Sequence, residues 1–177
     1  TYGSELKALL EAQHVNNTYV IPLDQRHTTV KTRVLADRQQ IVRVDWDDAR
    51  PLRDEDLQTM KAALKLAIAD ADGVIIEDYG KGLISQEMIE TITSLAAARG
   101  IPVGLDPKEG HHLKLHGLTV VTPNRKEAFG AARQKETHAL ANPLEDQALL
   151  EVAAILCEEW DSEMLLITLG AQGMLLV

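Results

Sequence analysis

Sulfur, long apolar runs and positive charge are all scarce in this 177-residue chain. A single cysteine, Cys157, leaves no pair for an internal disulfide, and its place on the apolar face of a predicted helix marks it as a buried structural thiol. No apolar stretch approaches the roughly 20 residues that a bilayer-crossing helix needs, and no signal-peptide pattern opens the chain, so the expected compartment is the cytoplasm. Lysine and arginine number 18 against 27 aspartates and glutamates, a formal charge of −9, which argues against nucleic acid or an anionic membrane as a partner. Any anion site must then be a local gathering of cations. Missing too are the G-x-S-x-G elbow of Ser-His-Asp hydrolases and the G-x-x-x-x-G-K-[ST] phosphate loop. His111, His112 and His116 lack the cysteine or acidic cluster that would complete a tetrahedral zinc set, and they read as solvated polar residues.

What is present fits one α/β domain with a sizeable core, since 45% of the residues are hydrophobic. Leu6, Leu9 and Leu10 mark a short amphipathic helix, and Tyr19-Val20-Ile21 reads as a strand closed by Pro22. A hairpin follows over residues 29 to 46. Val30 and Val34 alternate with Lys31 and Arg33, and Val42, Val44 and Trp46 alternate with Arg43 and Asp45. Matching the faces places Val34 opposite Val42 and Val30 opposite Trp46, with Asp37-Arg38-Gln39 as a three-residue connection. One face is then apolar and the other charged.

From Asp54 the apolar positions change to a 3.6-residue period. The stripes are Leu57, Met60, Leu64, Ala67, Ile68 and Ala71; Met88, Ile89, Ile92, Leu95 and Ala96; and Leu149, Val152, Ala153, Leu156, Cys157 and Trp160. Asp54, Ser85 and Asn142 with Pro143 mark helix starts, and Gly100 a helix end. Helices alternating with short apolar runs predict right-handed crossovers and a mostly parallel sheet covered on both sides. Four of those runs, 73–76, 102–105, 118–121 and 164–167, each precede a polar motif: Asp78-Tyr79-Gly80-Lys81-Gly82, Asp106-Pro107-Lys108, Asn124-Arg125-Lys126-Glu127 and Thr168-Leu169-Gly170. If the runs are parallel strands, all four motifs gather where open α/β sheets bind ligands. Taken singly, Asn124-x-x-Glu127 is an ordinary helix cap, Asp106-Pro107-Lys108 a plain turn and Thr168 to Gly173 a hairpin link. Two glycines flanking Lys81 admit close approach of a ligand to the backbone. The four together at one edge suggest phosphate handling.

These motifs, together with the segments Thr28 to Val34 and Gln39 to Asp45, resemble the ribokinase-like (phosphofructokinase-B type) carbohydrate kinases, in order along nearly the whole chain. Within the family the likeness is strongest to the subgroup acting on heptose 7-phosphate, through the lysine-arginine hairpin and D-Y-G-K-G. The resemblance implies a three-layer α/β/α kinase core at about 54–177 carrying part of a β-sheet lid at about 29–46, with a lid contact that makes a homodimer. It implies ATP and Mg2+ as cofactors and a heptose 7-phosphate phosphorylated at its anomeric hydroxyl, on the way to ADP-heptose and lipopolysaccharide. Asn124, Arg125, Lys126, Glu127, Thr168, Gly170, Gly173, Asp106 and Lys108 would then serve the nucleotide and its phosphates, with Glu127 reaching the metal through water. The charged hairpin residues Lys31, Arg33 and Arg43, with Asp78 and Lys81, are the candidates for the sugar phosphate. The family's G-G-x-x-x-N substrate motif and its G-A-G-D motif, source of the anion hole and the aspartate base, are not in these residues. The resemblance places the G-A-G-D motif beyond Val177, so no residue of this sequence is assigned as the base. The chain is therefore expected to be the central part of a kinase domain and to be inactive alone. A kinase for another sugar, and a non-catalytic module binding nucleotide or sugar phosphate, stay open as alternatives.

Overall fold

The computed structural model describes residues 1–177. Helix α1 (Tyr2–Ala12) is capped by Thr1, whose side chain accepts the N–H of Ser4. None of its residues is buried. The segment Tyr19-Val20-Ile21 is not a strand. Asn16 accepts the N–H and the hydroxyl of Thr18 on its side-chain oxygen, and Val20 donates to the Asn17 carbonyl, so side-chain-stabilised turns take the place of extended backbone.

Strands β1 (Val30–Ala36) and β2 (Gln39–Trp46) form a separate two-stranded antiparallel sheet. Val30 faces Trp46, Val34 faces Val42 and Lys31 faces Asp45, as the alternation requires. The connection is shorter than expected: Ala36 pairs with Gln39, leaving Asp37-Arg38 as the turn. The faces still match because Ile41 is extra on β2, between Val34 opposite Val42 and Leu35 opposite Gln40. Asp37 takes a left-handed conformation at φ +53°, which short polar residues tolerate. The apolar face stands off the main core, with Trp46 68% exposed.

Helix α2 (Asp54–Ala69) leads into β3 (Val74–Glu77), followed by α3 (Gln86–Ala97), β4 (Val103–Asp106), β5 (His116–Val121), α4 (Arg125–Ala131), α5 (Gln147–Glu159), β6 (Asp161–Thr168) and β7 (Met174–Leu176). Ser85 caps α3 by accepting the Met88 N–H, and Gly100, at φ +64°, lies just past its end. The start read at Asn142 is only a 3-10 turn, Pro143–Glu145; α5 begins at Gln147, capped by Asp146 through the Leu149 N–H. The five-stranded sheet runs β3-β4-β5-β6-β7, parallel through β6 and antiparallel at β7.

Register decides which side chains meet the helices. Ile76, Leu105, Val121 and Leu165 lie in one row across the sheet and are buried with Met88, Ile89, Phe129, Leu149 and Leu156 in a single cluster. Ile75, Gly104, Val120 and Met164 form the alternate row, in which Ile75 is 78% exposed. Helical cover on both faces, as the three-layer expectation has it, is thus seen on one face within these residues. Cys157 is exposed, not buried. At about 100° per residue it stands roughly 80° from the centre of the α5 stripe, outside the arc that reaches the sheet. Burial of part of its surface still pushes its thiol pKa up, away from nucleophilic character.

An arginine clasp joins hairpin and core. The Arg26 guanidinium donates to the carbonyls of Arg50 (2.8 Å) and Asp48 (2.9 Å), and to that of Lys81 in the loop after β3. Asp48 accepts the Arg50 backbone N–H at 3.0 Å and its Nε at 2.9 Å. Gly82, at φ +70°, sits against this segment, where an added Cβ would strike the Arg50 carbonyl. Gly82→Ala is expected to cost about 2–3 kcal/mol, a left-handed penalty plus a backbone clash. Gly100→Ala has the same φ class but open space, and about 1 kcal/mol is expected. Urea denaturation of both variants checks the difference.

Hydrogen bonds from Arg50 hold the Asp48 carboxyl well below the usual carboxylate range. A depressed folded value means that its contribution is complete above the unfolded pKa of about 4 and is lost as pH falls through the folded value. The gap in urea midpoint between the natural chain and Asp48→Asn should be widest above about pH 4 and close progressively below it.

Candidate functional site

The carboxyl ends of the four parallel strands are stitched edge to edge. Glu77 pairs with Asp106, and the Asp78 N–H donates to the Asp106 carbonyl at 3.0 Å. The Thr122 N–H donates to the Leu105 carbonyl at 2.9 Å, and the Thr168 N–H to that of Pro123 at 2.9 Å. Asn124 bridges Thr168 in parallel. Asp78, Asp106, Asn124 and Thr168 therefore lie along one edge of one sheet. With strands about 4.8 Å apart, the β3 end is roughly 14 Å from the β6 end, room for two ligands side by side.

At the β5/β6 end, Asn124 and Glu127 form a full capping box. The Glu127 N–H donates to Asn124 Oδ1 at 3.0 Å, and the Asn124 N–H donates to Glu127 Oε2 at 2.9 Å. Glu127 Oε1 takes no part in the box. Thr168 ends β6, and the link to β7 passes through Gly170 (φ +59°) and Gly173 (φ +89°), with the Leu169 N–H donating to the Gly173 carbonyl at 2.9 Å. Val177 is not part of the edge. It continues the β7 pairing, exchanging two backbone hydrogen bonds of 2.9 Å with Leu165, which precedes the end of β6 at Thr168, and its apolar side chain offers no base. Lys126 is tied to Glu109 at 2.9 Å, a hydrogen bond that holds its ammonium pKa above the usual lysine range.

Arg125 does not join its neighbours. Its side chain turns into the body, 9% exposed, with Nη2 at 2.8 Å from Asp146 Oδ2 and 3.2 Å from Thr137 Oγ1, and its guanidinium over the Phe129 ring at 4.8 Å. Asp146 is itself buried. Once the capping box fixes the first turn of α4, residue 125 is aimed at the start of α5, where a buried carboxylate needs a cation.

At the β3/β4 end, Asp78 is buried at 7% exposure. Its Oδ1 accepts the Gly80 N–H at 2.8 Å and its Oδ2 accepts from His111 Nδ1. Lys81 pairs with Asp47 and is not free. Gly80, at φ +63°, leaves room for the Lys108 stem, whose Cγ would be 3.0 Å from a Cβ there. Lys31 of the hairpin has its Nζ 5.6 Å from the Tyr79 ring centroid. Arg33 faces Arg43 across the hairpin, and Arg43 pairs with Asp45 at 2.8 Å. The loops enclose a small cavity of about 90 Å³ against Leu105, Leu115 and Trp160 and, beside it, an open cleft of about 800 Å³ running from Ala49 and Leu52 past Gly80 to His111. Lys108 and His111 line both. Sequence reasoning missed His111 because its partner is 33 residues away and no spacing announces the pair.

The arrangement offers hard oxygen donors at one end of the edge, cations and a polar cleft at the other. The sequence profile of the pfkB family carbohydrate kinases matches residues 1–177. Over 172 residues the chain is 34% identical to the "Bifunctional protein HldE" of Wolinella succinogenes, covering 97% of this chain and 35% of that protein. It is 37% identical over 171 residues to the protein of the same name from Trichlorobacter lovleyi, covering 94% and 33%. The chain thus spans about a third of the length of the curated relatives it matches. The crystal structure of phosphofructokinase-2 from Escherichia coli in complex with potassium superposes with a TM-score of 0.71 at 18% identity, over 98% of this chain and 54% of that one.

Arg125→Ala is expected to leave the Asp146 carboxylate buried without its cation and to cost about 3–5 kcal/mol in urea denaturation. Arg125→Met with Asp146→Asn, which removes both charges, should recover much of that loss.

Proposed function

This chain belongs to the pfkB family of carbohydrate kinases, and we propose that it is the central part of an ATP-dependent kinase that phosphorylates a heptose 7-phosphate at its anomeric hydroxyl. The observation that carries the reading is the single edge on which Asp78, Asp106, Asn124 and Thr168 are aligned, wide enough for nucleotide and sugar to lie side by side. The heptose preference rests on the relatives named HldE and on the hairpin and D-Y-G-K-G residues. ADP-heptose and lipopolysaccharide synthesis is the process it would serve, in the cytoplasm, where ATP is supplied. No helix of the structure is long and apolar enough to cross a membrane.

The β5/β6 end is the nucleotide side of this proposal. Glu127 keeps one carboxylate oxygen clear of the capping box, and Asp106 adds a second carboxylate whose Oδ1 receives the Thr122 hydroxyl at 3.4 Å. Carboxylates with room for water suit Mg2+, so the residues present fit the metal and the nucleotide phosphates. Mg-ATP would supply the phosphoryl group and neutralise its charge during transfer. Thr168, Gly170 and Gly173 would border the nucleotide, and Lys126, held by Glu109, would add positive charge nearby. Asp78 and the charged hairpin face would hold the sugar phosphate so that its hydroxyl approaches in line; such positioning supplies most of the rate in this class of reaction. The exposed face of Val42, Val44 and Trp46 is proposed as the lid contact of a homodimer, burying apolar area that the single chain leaves in water.

A coupled ADP-release assay on the full-length protein tests the reading, with heptose 7-phosphate expected to stimulate turnover well above hexose phosphates. Glu127→Gln keeps a cap acceptor but removes the charge, and kcat is expected to fall on the order of 10²-fold with little change in melting temperature. Absence of heptose-dependent ADP release by the natural protein would refute the assignment.

A further inference from the structure

We propose that His111 and Lys108 together form the subsite for the phosphate group of the sugar substrate, with Asp78 as the residue that positions His111. The inference rests on the kinase reading above and adds to it two side chains and the substrate group they hold. Lys108 and His111 are first and last of a tight turn, the His111 N–H donating to the Lys108 carbonyl at 3.1 Å, with Gly110 at φ +77° supplying the bend. A four-residue turn brings its ends within about 7 Å, and both side chains face the open cleft.

Charge pairing makes this the anion-seeking point of the cleft. Lys81 is paired with Asp47, Lys61 with Glu87 and Lys126 with Glu109, which also satisfies the carboxylate of the turn itself. Lys108 has no ion-pair partner. Its stem packs on Gly80, at the wall of the cleft. Beside it, the buried Asp78 carboxylate receives His111 Nδ1, while Gly80 N–H fixes the other oxygen. An imidazolium carries a donor on each nitrogen. With Nδ1 facing Asp78, Nε2 is the ring nitrogen left for a ligand oxygen, and it donates when the ring is protonated. A phosphomonoester accepts both from it and from an ammonium, in charge-assisted bonds stronger than those a sugar hydroxyl makes. The pair follows β4 and bonds back to Asp78 at the end of β3, on the side of the edge that the kinase reading gives to the sugar phosphate.

The test uses the full-length protein and reads binding and turnover separately. Calorimetric titration with heptose 7-phosphate, without ATP, is expected to give a Kd about tenfold weaker in His111→Ala and in Lys108→Met. His111→Gln, which keeps a side-chain N–H, should recover part of the loss, and Asp78→Asn should weaken binding in the same direction. In turnover the KM for the sugar phosphate should rise while the KM for ATP stays within about twofold. The affinity for unphosphorylated heptose should not change. An equal loss for phosphorylated and unphosphorylated sugar, or a rise confined to the KM for ATP, would overturn the subsite, as would unchanged binding in a His111→Ala protein of normal melting temperature. If the natural protein binds heptose 7-phosphate through His111 but does not phosphorylate it, the kinase reading fails and the subsite stands. Normal phosphorylation with His111-independent binding leaves the kinase reading standing and removes the subsite, and no binding by the natural protein sinks both.

Discussion

Strands that run parallel must all end on the same side, and their last backbone groups must find partners before the chain turns away. Here that constraint is met by bonds between neighbouring strand ends: Asp78 to Asp106, Thr122 to Leu105, Thr168 to Pro123. Each of these bonds fixes the residue that opens a loop, and each loop carries a polar motif. The edge is therefore positioned by the same backbone bonds that complete the sheet. Behind it, the row from Ile76 to Leu165 is packed against Met88, Phe129 and Leu149, which gives the edge a rigid base.

Asp78 connects three levels of this organisation. Its backbone closes the β3/β4 pairing, one carboxylate oxygen shapes the glycine loop, and the other orients His111 on the next loop. Positive φ at Gly80 and Gly82 lets that loop bring Lys108 to one side and the Arg50 carbonyl to the other. The same loop offers the Lys81 carbonyl to Arg26, so hairpin, glycine loop and sheet end meet within a few residues. A hairpin exposed on its apolar face is thus still registered against the edge that it would cover.

In a chain of net charge −9, most of the cations near the edge are already assigned. Arg125 compensates buried Asp146, Lys81 meets Asp47 and Lys126 meets Glu109. The two lysine pairs, near the surface, contribute little stability singly. Their larger effect is selective: with Lys81 and Lys126 neutralised, Lys108 stays unpaired at the cleft. A negatively charged protein can in this way present a phosphate-attracting cleft without a basic surface.

Local periodicity and strand-end chemistry made much of this legible in advance. Alternation over Val30 to Val34 and Val42 to Trp46 fixed the hairpin faces because a one-residue slip would invert every side chain, and the four motifs located the edge because parallel strands leave no other place for them. Asn124 and Glu127 were readable for the same reason, a cap being a contact across three residues. The misreadings involve choices that spacing does not encode. A bulge at Ile41 shortened the turn, asparagine turns displaced a strand at Tyr19, and the arc of α5 that touches the sheet excluded Cys157. Arg125 turned inward to a carboxylate 21 residues on, by the difference of their numbers, and His111 found one 33 residues back. Which elements form, and which edge they share, could be read from the chain because both follow from period and handedness over a few residues. Which charges pair could not, because a buried carboxylate takes whichever cation the three-dimensional packing brings within reach, and distance along the chain does not enter that choice.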